Sequence, residues 1–399
     1  MRRYLALVCL SLWLGCTPTP PPPADQAQAT PVATATPPRL IQNSPVQPAP
    51  EGYLVVKPGP DWWRKLEGAD LSKGVYLEPG TYELEKAMVL VGDARIQGAG
   101  ILHTRIVSTS SRLALGFAQG GKVELAYLTI EHQGDKPANV LDVEAKSLKM
   151  MACGLRNATA PKDTLEAGNG LLLRGQTSAE IELCEFSGNR ACGVYQTGQT
   201  KAQARHCQVF GNQLSGWLGD EAAELDIQDS EIYENAYNGL DWAGGKLMAA
   251  KNHCRENQKT GILTTTEATA TLHENVCNKN GHDGIQVDGH YELVGNECSE
   301  NASLGINVDG EQAGVIKANK CEKNALHGIE VGVEAAPTVT DNQLTKNGGA
   351  GLSYYQQAAG TASGNTIAGN GRAAIVVEAP ASPKLGENSI SGEVIQTKP

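Results

Sequence analysis

Large rings are scarce in this chain: aromatic residues make up 5% of 399 positions, and only three of them are Phe. A globular core of that length ordinarily draws on more of them. Glycine is plentiful at 45 residues but keeps no triplet period, which excludes a collagen helix. Charge reaches 19% against 40% hydrophobic residues, which excludes a wholly disordered chain. Positive charge is in deficit. The formal net charge is −11, whereas a nucleic-acid partner needs a positive field to neutralise phosphate. The apolar run Tyr4–Leu14 is too short to span a bilayer as a helix. No nucleophile elbow, phosphate-binding loop or dinucleotide fingerprint is present.

What is present begins with an export signal. Arg2 and Arg3 supply the charged start and Tyr4–Leu14 the apolar stretch. Gly15-Cys16 follows and resembles a bacterial lipobox, although Trp13 and Leu14 stand where Leu and a small residue are commoner. The resemblance implies cleavage before Cys16, lipidation of Cys16, and a place in the cell envelope as an outer-membrane or cell-surface lipoprotein. Ordinary cleavage nearby gives a secreted protein instead. Residues 17–50 are rich in Pro, Ala and Thr, with four consecutive prolines at Pro20–Pro23. Such a tract buries too little apolar surface to offset its ordering entropy. It reads as a tether, so contact with a membrane is by lipid anchor only.

From about Ser178 one spacing dominates. Asn189, Asn212, Asn235, Asn257, Asn280, Asn301, Asn324, Asn347 and Asn370 recur at intervals of 21 to 23 residues. Four residues after each comes Gly193, Gly216, Gly239, Gly261, Gly284, Gly305, Gly328 or Gly351, with Ala374 closing the series. Copies in phase mean a solenoid. Within a copy the apolar residues alternate, as in Ile329-Glu330-Val331, so the unit is built of strands. About 23 residues make one circuit of three short strands and three turns, and circuits stack at roughly 4.8 Å. Apolar columns stand eight and three residues before the Asn, and a column five before it reads Asn252, Asn275, Asn296, Asn319, Asn342, Asn365 and Asn388. An inward Asn at a bend can bond to its copies above and below, forming a ladder. The Gly column suits either a positive φ or close approach of the next coil.

At these residues the sequence resembles the right-handed parallel β-helix proteins of the pectate-lyase-like superfamily. The form Asn-x-Cys-x-x-Asn-x-x-x-Gly-Ile-x-Val, as it stands from Asn319 to Val331, carries the likeness over about 179–377, with a looser match back to Gly52. The resemblance implies an all-β, single-stranded right-handed parallel β-helix. The domain plan is a signal over 1–16, the tether over 17–50, an N-terminal cap and first coils over 51–120, and repeats over 121–399. Trp62, Trp63 and Leu66 mark the capping segment.

Eight cysteines remain beyond Cys9 and Cys16, an even count that in an exported chain suggests disulfides. Registry argues otherwise. Cys254, Cys277, Cys298 and Cys321 share one column, and Cys153, Cys184 and Cys207 share another. Stacked Cβ atoms about 4.8 Å apart exceed the roughly 3.8 Å a disulfide prefers. A single line of thiols also cannot surround zinc. They read as free core thiols, with no metal assigned.

Members of that superfamily work on the outside of one wall, so outward residues are the candidates. Two and four places after the Gly column stand Asp220, Asp241, Asp288, Asp309 and Glu330, with Glu378 farther along. Carboxylates there suit sugar hydroxyls, acid–base work or Ca²⁺, the one cofactor left open. They equally suit a solubilising strand surface. The repeat departs from its own rule around Gly193–Gly245, where Tyr195, Asp220, Glu221, Asp241 and Trp242 bring rings beside carboxylates. These five are the candidate ligand-binding residues, with Trp242 also fitting an inward position. His282-Asp283 and Asp288-Gly289-His290 invite comparison with mannuronan epimerases, but no Asp-Pro-His motif accompanies them. No catalytic motif is identified, and an enzyme of this kind would be a polysaccharide lyase, epimerase or glycoside hydrolase. Two readings stay open: a lipid-anchored protein that binds or processes polysaccharide, or a structural or adhesive spacer presenting a surface to a protein or other cell-surface component.

Overall fold

Alternating apolar residues broken every few positions by turn chemistry cannot make long strands, only short ones that turn through a circuit and stack. The computed structural model, which describes residues 45–118, 120–161 and 164–397, shows that arrangement. Three parallel sheets run its length, the first of 15 strands from Leu54–Val56 to Lys384–Leu385. The second has 14 strands from Gly80–Leu84 to Ser389–Ser391, and the third 14 from Met88–Val91 to Val394–Gln396. Each circuit passes through the three walls in turn, so the chain is a β-helix. Helix among the described residues is confined to Arg64–Glu67 and a 3₁₀ turn at Leu71–Lys73. The export signal, Cys16 and the tract up to residue 44 lie outside the described residues.

The columns read from the sequence are the register. Ala204 pairs with Ile227 in the first wall, Cys254 with Cys277 and then Cys298 in the second, and Ile285 with Ile306 and then Ile329 in the third. All eight cysteines from Cys153 to Cys321 are buried and unpaired. In the capping segment, Trp62 and Leu66 join the core, and the Trp62 indole N–H donates to the Glu83 carbonyl at 2.8 Å. The ordered body starts earlier than the tether boundary at residue 50. Gln47 donates its N–H to the Ala99 carbonyl at 2.8 Å and its carbonyl accepts from the Tyr76 hydroxyl at 2.7 Å.

Two amide ladders run inside the coil, where the sequence pointed to one. Asn319, at the bend between the first and second walls, donates Nδ2 to Asn342 Oδ1 at 3.0 Å and to the Leu293 carbonyl at 2.9 Å. Its Oδ1 accepts from the Nδ2 and backbone N–H of Asn296 at 3.0 and 2.8 Å. The same pattern links Asn252 through Asn388. The repeat-marking column, Asn189 through Asn370, forms the second ladder at the next bend. A residue with positive φ stands immediately before each ladder Asn except the terminal Asn388, as at Lys251, Glu256, Ala318 and Lys323.

The Gly column is explained by crowding. None of Gly193, Gly216, Gly239, Gly261, Gly284, Gly305 or Gly328 has a positive φ, and a Cβ at each would meet the carbonyl of the next Gly at 2.5 to 2.7 Å. Real side chains never sit that close, so glycine is what allows the strand spacing here.

The ladder makes a quantitative prediction. Asn319→Ala leaves buried amide partners unpaired and should cost about 1–3 kcal/mol. Asn278, partly exposed and bonded through Oδ1 to His253 Nε2, should shift by less than about 0.5 kcal/mol on the same change. Denaturant unfolding compares them, and equal losses would refute the ladder's role.

Candidate functional site

Outward side chains of the third wall lie two and four places after the Gly column, so they form two straight files along the coil. The departures from the repeat put Tyr195 and Asp220 in these files on adjacent coils. The Tyr195 hydroxyl donates to Asp220 Oδ2 at 2.8 Å. Burial, then the Asp220 charge, pushes the Tyr195 hydroxyl above its ordinary range. Burial also raises the Asp220 carboxyl, and its Oδ1 has no partner.

The other three candidate residues do not join that pair. Asp241 is separated from Tyr195 by Leu218 in the same file, because Tyr195 pairs with Leu218 and Leu218 with Asp241. Its Oδ2 is already held by the Ser215 hydroxyl at 2.8 Å and the Asn238 amide at 2.9 Å, and burial raises its carboxyl. Glu221 is exposed in the following turn at φ 55. Trp242 must be corrected: at 0% exposure it belongs to the core, its ring filling the space beside Gly219 where a Cβ would come within 2.3 Å. Strand parity explains this, since Trp242 is two residues from the inward Leu240.

A denser group sits farther along, around Asp288, Asp309 and Glu330, acids whose positions suit a solubilising surface as well as a groove. Asp309 Oδ1 accepts from the Tyr355 hydroxyl at 2.9 Å, and its Oδ2 from the Asn307 amide at 3.4 Å. Tyr355 comes from two coils away, and its ring crosses Gly332, where a Cβ would lie 2.1 Å from it. Gly332 is therefore the residue that lets the ring lie down on the wall. Asp288 pairs with Asp309 in the strand register and accepts from the Thr266 hydroxyl at 2.7 Å. Glu330 pairs with Asn307, and its Oε2 faces His327 Nε2 at 3.4 Å. The Ala350 N–H donates to His327 Nδ1 at 2.7 Å, which puts the ring proton on Nε2, toward Glu330. Burial, followed by the charges of Asp309, Asp283 and Glu378, raises the Glu330 carboxyl to about 7. Burial, then Arg372, lowers the His327 imidazole.

Asp309 is likewise raised, by burial first and then by Asp288 among its neighbours. A protonatable carboxyl next to a hydrogen-bonded one can donate and accept protons near neutrality. The sequence did carry a signal for this group: one file reads Asp288, Asp309, Gly332, Tyr355, a gap followed by a ring. His290 is exposed at the start of a first-wall strand, and His282 lies against the fully buried Asp283 at 3.1 Å, so neither joins it. Among the described residues no cluster of His, Cys, Asp and Glu has the arrangement of a metal site.

With this geometry in hand, comparisons place the chain. The model of the right-handed β-helix region matches twice, over 163–294 and 248–390. No curated protein sequence matches. Among solved structures, the A-module of the mannuronan C-5 epimerase AlgE6 of Azotobacter vinelandii is similar at TM-score 0.57 and 13% identity, covering 82% of this chain and 91% of that one. The periplasmic alginate epimerase AlgG gives 0.53 and 14%, covering 85% and 89%. The catalytic unit of a thermostable α-1,3-glucanase from Streptomyces thermodiastaticus gives 0.55 and 12%, covering 88% and 71%. At these identities the likeness is one of fold.

The raised Glu330 carboxyl predicts a pH-dependent stability difference. An acid whose folded pKa is raised loses stability as pH climbs from the ordinary carboxylate range toward 7, because the folded state resists giving up the proton. Glu330→Gln should therefore melt higher than the native chain at pH 8, with the difference shrinking to nothing near pH 4. A constant difference across that range in calorimetric scans would contradict the assignment.

Proposed function

From the premise that this chain belongs to the right-handed β-helix family, we propose that it is an exported protein, anchored at the cell envelope through a lipid on Cys16, that binds polysaccharide along the outer face of its third wall. The observation that carries this reading is the pair of tyrosine–carboxylate contacts, Tyr195 with Asp220 and Tyr355 with Asp309, on one straight face. Five strand intervals separate Tyr195 from Asn307, about 24 Å of wall. A straight strip of that length suits an extended polymer. Ring faces pack on the C–H surface of a sugar while carboxylates accept from its hydroxyls. Proteins of like fold named for alginate and α-1,3-glucan are in keeping with such a partner. The Glu330, Asp309 and His327 group further supports processing of the bound chain by acid–base chemistry.

A glycan array with the full chain identifies the best ligand. Tyr195→Ala and Asp309→Asn should each weaken that ligand about tenfold, equivalent to about 1.4 kcal/mol, with melting temperatures close to native. Asp241 is unsuited to the test, because its buried carboxylate is already committed to the Ser215 hydroxyl and the Asn238 amide. Binding untouched by both substitutions would favour the spacer reading. Anchoring is tested separately: Cys16→Ala should abolish incorporation of labelled fatty acid and release the protein from membranes, and retention there would refute the lipid.

A further inference from the structure

The outer face of the third wall has an asymmetry that bears on the kind of polysaccharide it takes. Among the described residues, its buried side-chain atoms without a hydrogen-bond partner are Asp220 Oδ1, Asp288 Oδ1 and Asn307 Oδ1, and all are acceptors. Asn307 is the sharpest case. It is only 9% exposed, its Nδ2 donates to Asp309, and the residue pairs in the strand register with Glu330 on the next coil. A buried acceptor left unpaired costs free energy that a ligand donor would recover.

Charge points the same way. Asp288, Asp309 and Glu330 crowd this face, and the cations near them are few. His327 has its Nδ1 lone pair engaged by the Ala350 N–H, and Arg372 is paired with Glu378 at 3.2 Å. A uronate approaching this surface meets like charge without a compensating cation.

We infer that the polysaccharide held over residues 285–355 carries free amines, whose ammonium groups meet the carboxylates of Asp288, Asp309 and Glu330 while its N–H and O–H donors satisfy the amide oxygen of Asn307. The inference rests on the glycan-binding reading above and narrows it to a substrate class. Carboxyls raised by burial and by one another are relieved when a cation arrives. The class is opposite in charge to the alginate and mannuronan for which two proteins of like fold are named.

The test uses the full chain at pH 6.5 and three hexasaccharides: β-1,4-linked glucosamine, its fully N-acetylated counterpart, and mannuronate. The first two share a backbone and differ only in the charged amine. Titration calorimetry should show the glucosamine hexamer binding at least about tenfold tighter than the acetylated one, and the mannuronate hexamer not at all. Asp309→Asn with Glu330→Gln should remove most of that preference. Raising salt should weaken native binding of the amine form but leave the acetylated form unchanged, a measurement that holds even if the double variant fails to fold. Equal affinity for the amine and acetylated hexamers, with both weakened by Tyr195→Ala, overturns the amine assignment and leaves glycan binding intact. Tighter binding of mannuronate overturns it too. Failure of all three to bind overturns it as well, and an array that is also blank removes the glycan reading beneath it.

Discussion

Stacking every coil on the next at the spacing of hydrogen-bonded strands is the constraint on which this molecule depends. It brings identical positions into contact along the whole length, so each inward position must tolerate a copy of itself above and below. Asparagine meets that demand for a polar bend. Its Nδ2 gives one proton to the neighbouring Oδ1 and another to a strand carbonyl, and its own oxygen accepts twice, as at Asn319 and Asn301. Alanine meets no part of it, and Ser230, between Cys207 and Asn252 in the first ladder's column, meets it in part, its hydroxyl accepting from the Cys207 N–H and donating to the Gln228 carbonyl. Glycine answers the same demand for the backbone, since the third-wall entry carbonyls approach too closely for a Cβ.

Once the inward columns are fixed, the outward files become straight lines whose chemistry is free to vary. Free does not mean unstructured. Packing side by side half-buries the acids of the third wall, and burial raises Asp220, Asp309 and Glu330 before any neighbour acts. Neighbouring charge then separates them, and Glu330, beside Asp309, Asp283 and Glu378, is carried to about 7. A surface that only solubilised the fold would keep its carboxylates apart and hydrated. Here hydroxyls from Tyr195, Tyr355 and Thr266 hold them in place.

Legibility in the sequence followed contact order of a particular kind. Positions that meet copies of themselves were readable, because a repeat of 21 to 23 residues announces which residues coincide. The walls, the cysteine columns and the Asn252–Asn388 ladder all belong to that class. That Asn189 and its successors form a second ladder was equally implicit, since they recur at the same spacing, yet nothing in a spacing says which way an amide points. The site around Asp309 was harder. Its key contact joins Tyr355 to a residue 46 positions away, skipping one coil altogether. No repeat encodes a contact that jumps a repeat.

By itself, then, the sequence determined the coil: its period, its three walls, its register and the free thiols in its core, because stacking converts one-dimensional spacing directly into neighbours. Tertiary structure decided which outward residues act together. It tied Asp241 to Ser215 and Asn238, and laid Tyr355 across Gly332 onto Asp309. The physical reason is that side-chain reach, local burial and the space a missing Cβ leaves are properties of three adjoining coils at once. A single chain position carries none of them.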